Sequence, residues 1–377
     1  MRAVSVPCTS HVQPRRRRVT GRHSTQVCAH AGVSALETAF DGAAASVAGR
    51  TTFTGHSDHG SGLVSVLARG PWRSLVFQCG ESVTQQGLAL LDADGVAQPG
   101  SLVYTYLRTC AAAVAALAPA PPHPRFLSLG LGAGSFPAFL KHHWPTALVQ
   151  AVEIDPLVAH ACETHLGARF SRLASTKELV SGGDITSPGP GFQLLVNDAA
   201  PCVAALAEAV TASTTQPVDA ILLDCFDQYG RVPPILDSPE FLTACSAALS
   251  PGGLLILNAF NAEQGSDTRR RLGIRAGALA AAFGGASRLF TFPVVGFEQN
   301  VIVVCQKAGG EARDGFADIV ARARRTSVAQ GWAFDAGTAS TKALRLWPLP
   351  FARARGWFWE TAPAGWRRAT SERAAPT

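Results

Sequence analysis

Short apolar runs alternate with stretches of helical periodicity through the middle of the chain. The apolar runs predict buried strands, and the periodic stretches between them predict helices. The predicted strands cover residues 126–129, 148–152, 192–196, 218–224, 254–258, 287–292 and 301–305. The predicted helices cover residues 102–117, 156–166, 201–210, 238–249 and 268–283. This alternation predicts an α/β fold in which helices cover both faces of a parallel sheet.

The flanking regions have a different pattern. Residues 63–67 and 74–78 predict two strands of a small N-terminal β element, which we assign to residues 63–101. Residues 32–62 are small and polar, so they are interpreted as a linker. Residues 102–307 form the predicted main domain, and residues 308–377 a C-terminal extension with an amphipathic helix at 311–330. The extension also holds Trp332, Trp347, Trp357, Trp359 and Trp366, which we expect to pack on the core, with a partner surface as the alternative.

A glycine turn follows the first strand of the main domain. Gly130, Gly132 and Gly134 form a GxGxG pattern, and Glu153 lies 19 residues beyond the last of them. Glycines let a ligand approach the backbone, and a helix N-terminus attracts an anionic group. An acid at the tip of the next strand can accept both hydroxyls of a ribose. The pattern favours S-adenosylmethionine (SAM) or a relative over a dinucleotide, with a merely structural turn as the alternative.

Acidic residues follow several of the predicted strands. They are Glu153, Asp155, Asp198, Asp224 and Asp227. Ligands of open α/β sheets bind at the carboxyl ends of the strands, so these side chains are candidates for one site. The alternative is that they cap the following helices, which applies most to Asp155.

Composition restricts the remaining possibilities. The chain has 377 residues, of which 47% are hydrophobic and 16% charged, so a sizeable core is expected. No run of 18 apolar residues occurs, and no membrane-spanning helix is predicted. The nine cysteines form no CxxC pair, so neither a zinc site nor a disulfide framework is indicated.

The N-terminus is basic and has no acid before Glu37. Residues 1–31 therefore predict a transit segment to an organelle, a chloroplast in preference to a mitochondrion. A basic arm for nucleic acid and an ordinary disordered tail are the alternatives. The formal charge of +6 falls to about zero without the six arginines at positions 2, 15, 16, 17, 18 and 22, so no nucleic-acid partner is expected.

Five motifs together resemble the spermidine synthase-like group of class I SAM-dependent methyltransferases. The motifs are LGLGAGSFPAFL (129–140), AVEIDP (151–156), VNDA (196–199), VDAILLDCFDQYG (218–230) and EFLTACSAALSPGGLLILN (240–258). The resemblance implies a Rossmann-like seven-stranded sheet preceded by a small β-hairpin domain.

The resemblance also implies roles by position for the nucleoside ligand. Gly130, Gly132 and Gly134 would pass along its amino-acid part, and Glu153 would bind its ribose. Asp155, in the same motif, is a further predicted cofactor-binding residue. The pair that would contact its adenine is Asp198 and Ala199.

On the substrate side, Asp224 would deprotonate the attacking amine, and Asp227 would lie near the substrate. Gln85 or Gln86, with Tyr104 and Tyr229, would line the substrate pocket.

The chain departs from the polyamine synthases in the glycine loop and on the substrate side. Their glycine loop carries an Asp where this chain has Ala133, and that acid attracts the cationic amine of decarboxylated SAM. Ordinary SAM keeps a carboxylate, which such an acid would repel. Residues 228–230 also depart from the family's Pro-x-Gly-Pro, and no His follows Tyr104 or Tyr106.

Three hypotheses remain open at this point. The favoured one is a SAM-dependent methyltransferase acting on an amine, such as a protein lysine or N-terminus. The others are a polyamine aminopropyltransferase that uses decarboxylated SAM, and a non-catalytic assembly protein with the same fold. The expected partners are the nucleoside, an amine or protein substrate, and a second copy in a homodimer.

Overall fold

The computed structural model describes two β-sheets and the helices that pack on them. The described residues are 49–80, 82–182, 191–227, 231–260, 267–285, 288–294, 300–309, 316–340 and 344–345. The transit segment predicted at residues 1–31, Tyr229 and the tryptophans beyond Trp332 lie outside these ranges. None of the described helices is long and apolar enough to cross a membrane.

The N-terminal sheet is antiparallel and has four strands in the order β1-β2-β3-β4. Its strands are β1 (Arg50–His56), β2 (Leu63–Arg69), β3 (Trp72–Cys79) and β4 (Ser82–Leu90). The predicted β element is therefore present but larger than expected. β1 lies inside the predicted linker, and that prediction is wrong for this segment, because a polar, threonine-rich strand at a sheet edge lacks an apolar signal.

The main sheet has nine strands in the order β7-β8-β6-β5-β9-β10-β12-β11-β13. Its strands are β5 (Arg125–Leu129), β6 (Leu148–Glu153), β7 (Phe170–Leu173), β8 (Phe192–Val196), β9 (Val218–Leu223), β10 (Leu249–Phe260), β11 (Leu289–Pro293), β12 (Asn300–Gln306) and β13 (Leu344–Arg345). All seven predicted strands are confirmed, and the short edge strands β7 and β13 are additional. This order has the Rossmann-like arrangement that the sequence predicts.

The prediction of a wholly parallel sheet is wrong at one side. Strand β12 pairs antiparallel with both β10 and β11. Only residues 294–299 separate β11 from β12, and a connection of this length cannot make the crossover that a parallel pair requires. The start of β12 therefore lies at the same edge as the end of β10.

Nine α-helices are described: α1 (Thr105–Leu117), α2 (Ser135–His143), α3 (Pro156–His165), α4 (Thr176–Ser181), α5 (Ala199–Thr211), α6 (Pro239–Ala248), α7 (Asp267–Ala282), α8 (Phe316–Ala329) and α9 (Ala336–Ser340).

The hydroxyl of Ser238 accepts a hydrogen bond from the Phe241 N–H, which confirms Ser238 as the N-cap of α6. The sequence pattern missed α4 and β7, because both are short and mostly exposed.

Alternating side chains of the main sheet divide the core in two. Leu222 belongs to a cluster with α1, α2, α3, α8 and the N-terminal sheet, whereas Ile221 and Leu223 belong to a cluster with α5, α6 and α7. The N-terminal sheet and the main domain therefore share one hydrophobic core.

Helices α8 and α9 of the C-terminal extension, with the segment between them, pack on the face of the main sheet that carries α1. Trp332 is 6% exposed, and its ring lies 5.0 Å from that of Phe139 and 5.7 Å from that of Trp144. The packing interpretation is therefore confirmed for Trp332.

β4 lies directly against the glycine turn of the main domain. A Cβ atom on Gly87 would be 2.5 Å from the Ala133 backbone nitrogen. The Ser135 hydroxyl also donates to the Leu88 carbonyl at 3.0 Å. The absence of a side chain at Gly87 thus allows the two units to approach each other.

We expect Gly87→Ala to destabilise the protein by about 1–3 kcal/mol, because the added methyl group must separate β4 from the turn. Thermal unfolding of Gly87→Ala and of the control Gly100→Ala measures this. A Cβ on Gly100 would meet only the His142 ring, at 3.3 Å. Equal melting temperatures for the two variants would contradict the expectation.

Candidate functional site

A cavity of about 610 Å³ lies where β4 meets the carboxyl ends of the main-sheet strands. It is lined by β4, the glycine turn after β5, the start of α1 and the segments that follow β6, β8 and β9. Among the described residues, no group of three or more His, Cys, Asp or Glu side chains could hold a metal ion.

Two of the three predicted glycines, Gly130 and Gly132, line this cavity, whereas Gly134 does not line it and is the N-cap of α2. Gly130, Gly132 and Gly134 have φ angles of 89°, 52° and 72°, in the left-handed region that side chains disfavour. A Cβ on Gly130 would lie 2.4 Å from the Asp224 carbonyl oxygen. Glycine is thus required here by conformation and by the close approach of a neighbouring strand end.

Glu153 ties the glycine turn to the end of β6. Its Oε2 accepts a hydrogen bond from the Leu131 N–H at 2.9 Å, and its Oε1 accepts one from the Asp155 N–H at 3.0 Å. Burial raises the pKa of the Glu153 carboxyl, and these backbone N–H groups partly oppose that rise. Glu153 also lines the cavity, as predicted, and its oxygens have further lone pairs for ligand hydroxyls.

Asp155 does not line the cavity, and its predicted contact with the cofactor is wrong. Its side chain is 1% exposed. It caps α3 by accepting from the Leu157 N–H at 2.9 Å, and it accepts from the Ser57 hydroxyl at 2.5 Å. The alternative interpretation, a helix N-cap, is the correct one.

Asp198 and Ala199 lie beside Glu153 in the cavity wall. The carboxylate of Asp198 caps α5 by accepting from the Ala200 N–H at 2.9 Å. The Asn197 N–H donates to the Glu153 carbonyl at 2.9 Å, which fixes the end of β8 next to the end of β6. Asp198 is therefore both a helix cap and a cavity residue.

Asp224 lies at the end of β9, where its two carboxylate oxygens have separate donors. Oδ2 accepts from the Tyr106 hydroxyl at 3.1 Å, and Oδ1 accepts from the Asn258 amide at 2.9 Å. Burial raises the pKa of the Asp224 carboxyl, and these two hydrogen bonds partly oppose the rise. Desolvation raises the pKa values of the Cys110 and Cys225 thiols. The charge of Asp224 adds to the rise at Cys110, and the charges of Glu153 and then Asp224 add to it at Cys225.

The other predicted substrate residues reach the cavity from two directions. Asp227 lines it and closes a turn by accepting from the Arg231 N–H at 2.8 Å. Gln85 and Gln86 line it from β4, and Tyr104 lines it from the N-cap of α1. These residues are therefore brought to one cavity with the nucleoside-side residues, except for Gly134 and Asp155, which do not line it.

Three cavity residues were missed by the sequence interpretation. Tyr106 and Asn258 donate hydrogen bonds to Asp224. The side-chain amide of Asn300 donates to Oδ1 of the Asn258 side chain at 2.8 Å. Asn258 ends an apolar run in the same way as the strand-tip acids, so this signal was available. Asn300 begins β12, and only the antiparallel direction of that strand brings it to this edge.

Exposed apolar side chains surround the cavity. Val83, Ile154 and Ile235 are 48%, 45% and 54% exposed, and all three line it. Ile154 directly follows Glu153 and offers an apolar surface next to the Glu153 carboxylate. This mixture of apolar surface and convergent polar groups is typical of a small-molecule site.

We expect Asp224→Asn to raise the melting temperature at pH 7. A carboxyl whose pKa is higher in the folded than in the unfolded protein lowers the free energy of unfolding as the pH rises from the ordinary pKa through the folded-state pKa. An amide of the same shape does not titrate, so the variant avoids this loss. The difference from the unchanged protein should shrink towards pH 4. Thermal unfolding from pH 4 to 8 measures it, and a pH-independent difference would contradict this origin.

Comparisons with known proteins give relatives of two kinds. The chain is 28% identical over 201 residues to a polyamine aminopropyltransferase of Chromobacterium violaceum, covering 53% of this chain and 63% of that protein. It is 28% identical over 187 residues to the human eEF1A lysine and N-terminal methyltransferase, covering 48% of this chain and 22% of that protein. The match thus spans less than two thirds of either curated relative. These relatives confirm the resemblance to the spermidine synthase-like group.

Among solved structures, a probable spermidine synthase from Corynebacterium glutamicum matches with a TM-score of 0.49 and 16% identity. The match covers 77% of this chain and 92% of that one. No family model matches the chain.

Proposed function

We propose that this protein is a transferase that binds SAM and transfers its methyl group to an amine. The observation that carries the proposal is the pairing, in one cavity, of a glycine turn held by Glu153 with a half-buried carboxylate at Asp224. The first group suits a nucleoside, and the second suits the removal of a proton from a nucleophile. The curated relatives support a transferase of this group by the activities in their names.

The nucleoside would occupy the part of the cavity bounded by the glycine turn, Glu153 and Asp198. The Glu153 carboxylate would accept the ribose hydroxyls, and Ile154 and Asp198 would meet the apolar face and the amino group of adenine. The N-terminus of α2 follows the glycine turn, and its partial positive charge suits the carboxylate of SAM. SAM would supply an electrophilic methyl group on a sulfonium.

Ala133 favours SAM over its decarboxylated form. It lines the cavity, is 4% exposed and carries no charge. The glycine turn therefore offers no carboxylate to attract the free amine of decarboxylated SAM, and none to repel the carboxylate of SAM. This is the basis on which we prefer methyl transfer to aminopropyl transfer.

Asp224 would act as the general base. An amine attacks only when its lone pair is free, so a substrate that arrives as an ammonium ion must first lose a proton. Burial raises the pKa of Asp224 and so strengthens it as a base, while Tyr106 and Asn258 hold its two oxygens. Asp227 would attract the cationic substrate from the cavity wall.

Aminopropyl transfer to an amine is the second candidate. The relative from Chromobacterium violaceum, which is named for that activity, matches a larger share of this chain than the human methyltransferase does. The base and the nucleoside residues would serve both reactions, so the identity of the nucleoside distinguishes them.

Thermal unfolding of the full chain with SAM or with decarboxylated SAM tests this choice. A ligand that binds only the folded state raises the melting temperature by mass action. We expect stabilisation by SAM, and we expect Ala133→Asp to shift the affinity ratio towards decarboxylated SAM by about tenfold, or ~1.4 kcal/mol. Ala133→Asn, which has the same size and no charge, should change the ratio much less.

A preference of the unchanged protein for decarboxylated SAM would reverse our choice in favour of aminopropyl transfer. Stabilisation by neither nucleoside would remove both transferase functions and leave the non-catalytic assembly protein.

We expect Asp224→Asn to lower turnover about 10²–10⁴-fold while leaving SAM affinity nearly unchanged, because the base acts only in the transfer step. The assay follows labelled methyl groups from SAM to putrescine and to lysine-containing protein. Equal losses of SAM affinity and turnover would count against Asp224 as the base.

A further inference from the structure

Two buried amides form a chain behind the proposed base. Asn258 is 5% exposed and Asn300 is 6% exposed. In the antiparallel pair of β10 and β12, Asn258 lies opposite Ile302 and Asn300 lies opposite Phe260, so the two asparagines are diagonal neighbours on one face. The Asn300 side-chain NH₂ donates to Asn258 Oδ1 at 2.8 Å, and the Asn258 side-chain NH₂ donates to Asp224 Oδ1 at 2.9 Å.

The Asp224 carboxylate fixes the direction of these two hydrogen bonds. An ionised Asp224 only accepts hydrogen bonds, so Asn258 must present its NH₂ group to it. The Asn258 carbonyl oxygen then points to Asn300, which must in turn present its own NH₂ group. Asn300 Oδ1 is left as the terminal acceptor, in a residue that lines the cavity.

Asn300 Oδ1 has no hydrogen-bond partner among the described residues. The Tyr104 hydroxyl, also buried in the cavity wall, likewise has none in that part of the chain. Its ring lies 5.6 Å from the ring of Tyr106, whose hydroxyl is bonded to Asp224. Two groups that can accept a hydrogen bond, and that have no partner among the described residues, therefore belong to residues that line the same cavity as the base.

We infer that Asn300 Oδ1 and the Tyr104 hydroxyl receive the N–H bonds of a primary amine substrate, and that Asn258 positions Asp224. The inference rests on the proposed function and specifies its substrate. Buried polar groups without partners are rare in proteins, because leaving them unpaired is unfavourable. A ligand with N–H donors would satisfy both.

The number of N–H bonds explains why the amine should be primary. The ammonium group gives one proton to the Asp224 carboxylate and becomes a neutral amine with two N–H bonds and a lone pair. The lone pair forms the new N–C bond to the methyl group. The S–C bond breaks, and its electron pair stays on sulfur as a thioether. Asn300 and Tyr104 can hold the two remaining N–H bonds during this step, whereas a methylated amine has only one to offer.

The test compares amines that carry equal charge but different numbers of N–H bonds. The probes are Nα-acetyl-lysine amide and putrescine, each against its form dimethylated on every side-chain or terminal nitrogen. Affinities are measured by calorimetry with the full chain in the presence of S-adenosylhomocysteine. Charge alone would give equal affinities, whereas hydrogen bonding predicts that at least one primary amine binds about tenfold tighter than its methylated form.

The variants distinguish hydrogen bonding from steric exclusion of the methyl groups. Asn300→Leu and Tyr104→Phe should each reduce the primary-to-dimethyl affinity ratio about three- to tenfold. Tyr106→Phe is the matched control, since it removes a hydroxyl that is already bonded to Asp224, and it should retain the ratio while turnover falls. Because Tyr104→Phe removes an unpaired hydroxyl, its melting temperature should stay the same or rise, so it carries the test even where Asn300→Leu does not fold.

An unchanged ratio in Tyr104→Phe and Asn300→Leu would overturn the inference, as would the absence of amine binding. Stabilisation by S-adenosylhomocysteine is measured in the same samples. If it persists while the amine preference is absent, only the assignment of Asn300 and Tyr104 fails. If it is also absent, the proposed function fails.

Asn258→Leu tests the positioning role. The hydrogen bond from Asn258 lowers the pKa of Asp224. Its loss in Asn258→Leu should therefore raise that pKa and move the acidic limb of the pH–turnover profile to higher pH. A fall in turnover with an unmoved profile would indicate a purely structural effect.

Discussion

The close approach of backbones at Gly130 is the constraint on which the site depends. The Gly130 N–H donates to the Val152 carbonyl at 2.9 Å, and a side chain at Gly130 would collide with the Asp224 carbonyl. The turn after β5 is therefore held between the ends of β6 and β9. Because these two strand ends carry the nucleoside-side acid and the proposed base, one left-handed residue sets their relative position.

The polar groups of the site are stabilised by the protein to different degrees. Glu153 is held by two backbone N–H groups, and Asp224 by two side chains, although burial raises the pKa of both. Asn300 Oδ1 and the Tyr104 hydroxyl have no such support among the described residues. The nucleoside half of the cavity is thus largely organised by the chain itself, whereas the substrate half contains groups that lack a hydrogen-bond partner among the described residues.

Much of the fold could be predicted because its strands are continuous apolar runs with polar residues at their ends. Leu129, Val152 and Leu223 are almost fully buried at such ends, and the residues that follow them reach the cavity. Strand β1 could not be predicted, because its threonine-rich sequence resembles a polar linker. Asp155 was misassigned since a cap and a ligand-binding acid occupy the same position in a sequence, and only its burial and its bond to Ser57 distinguish them. Asn300 was missed because its position depends on strand direction, which local periodicity does not encode.

Strand β4 has a consequence for how ligands enter and leave. It forms one wall of the cavity, yet it is an edge strand that is hydrogen-bonded to a single neighbour, β3, within its sheet. Local unfolding that breaks this one ladder would open the wall without disturbing the nine-stranded sheet. Since a bound ligand would contact β4 from inside, ligand residence and amide hydrogen exchange along β4 would then be governed by the same opening equilibrium.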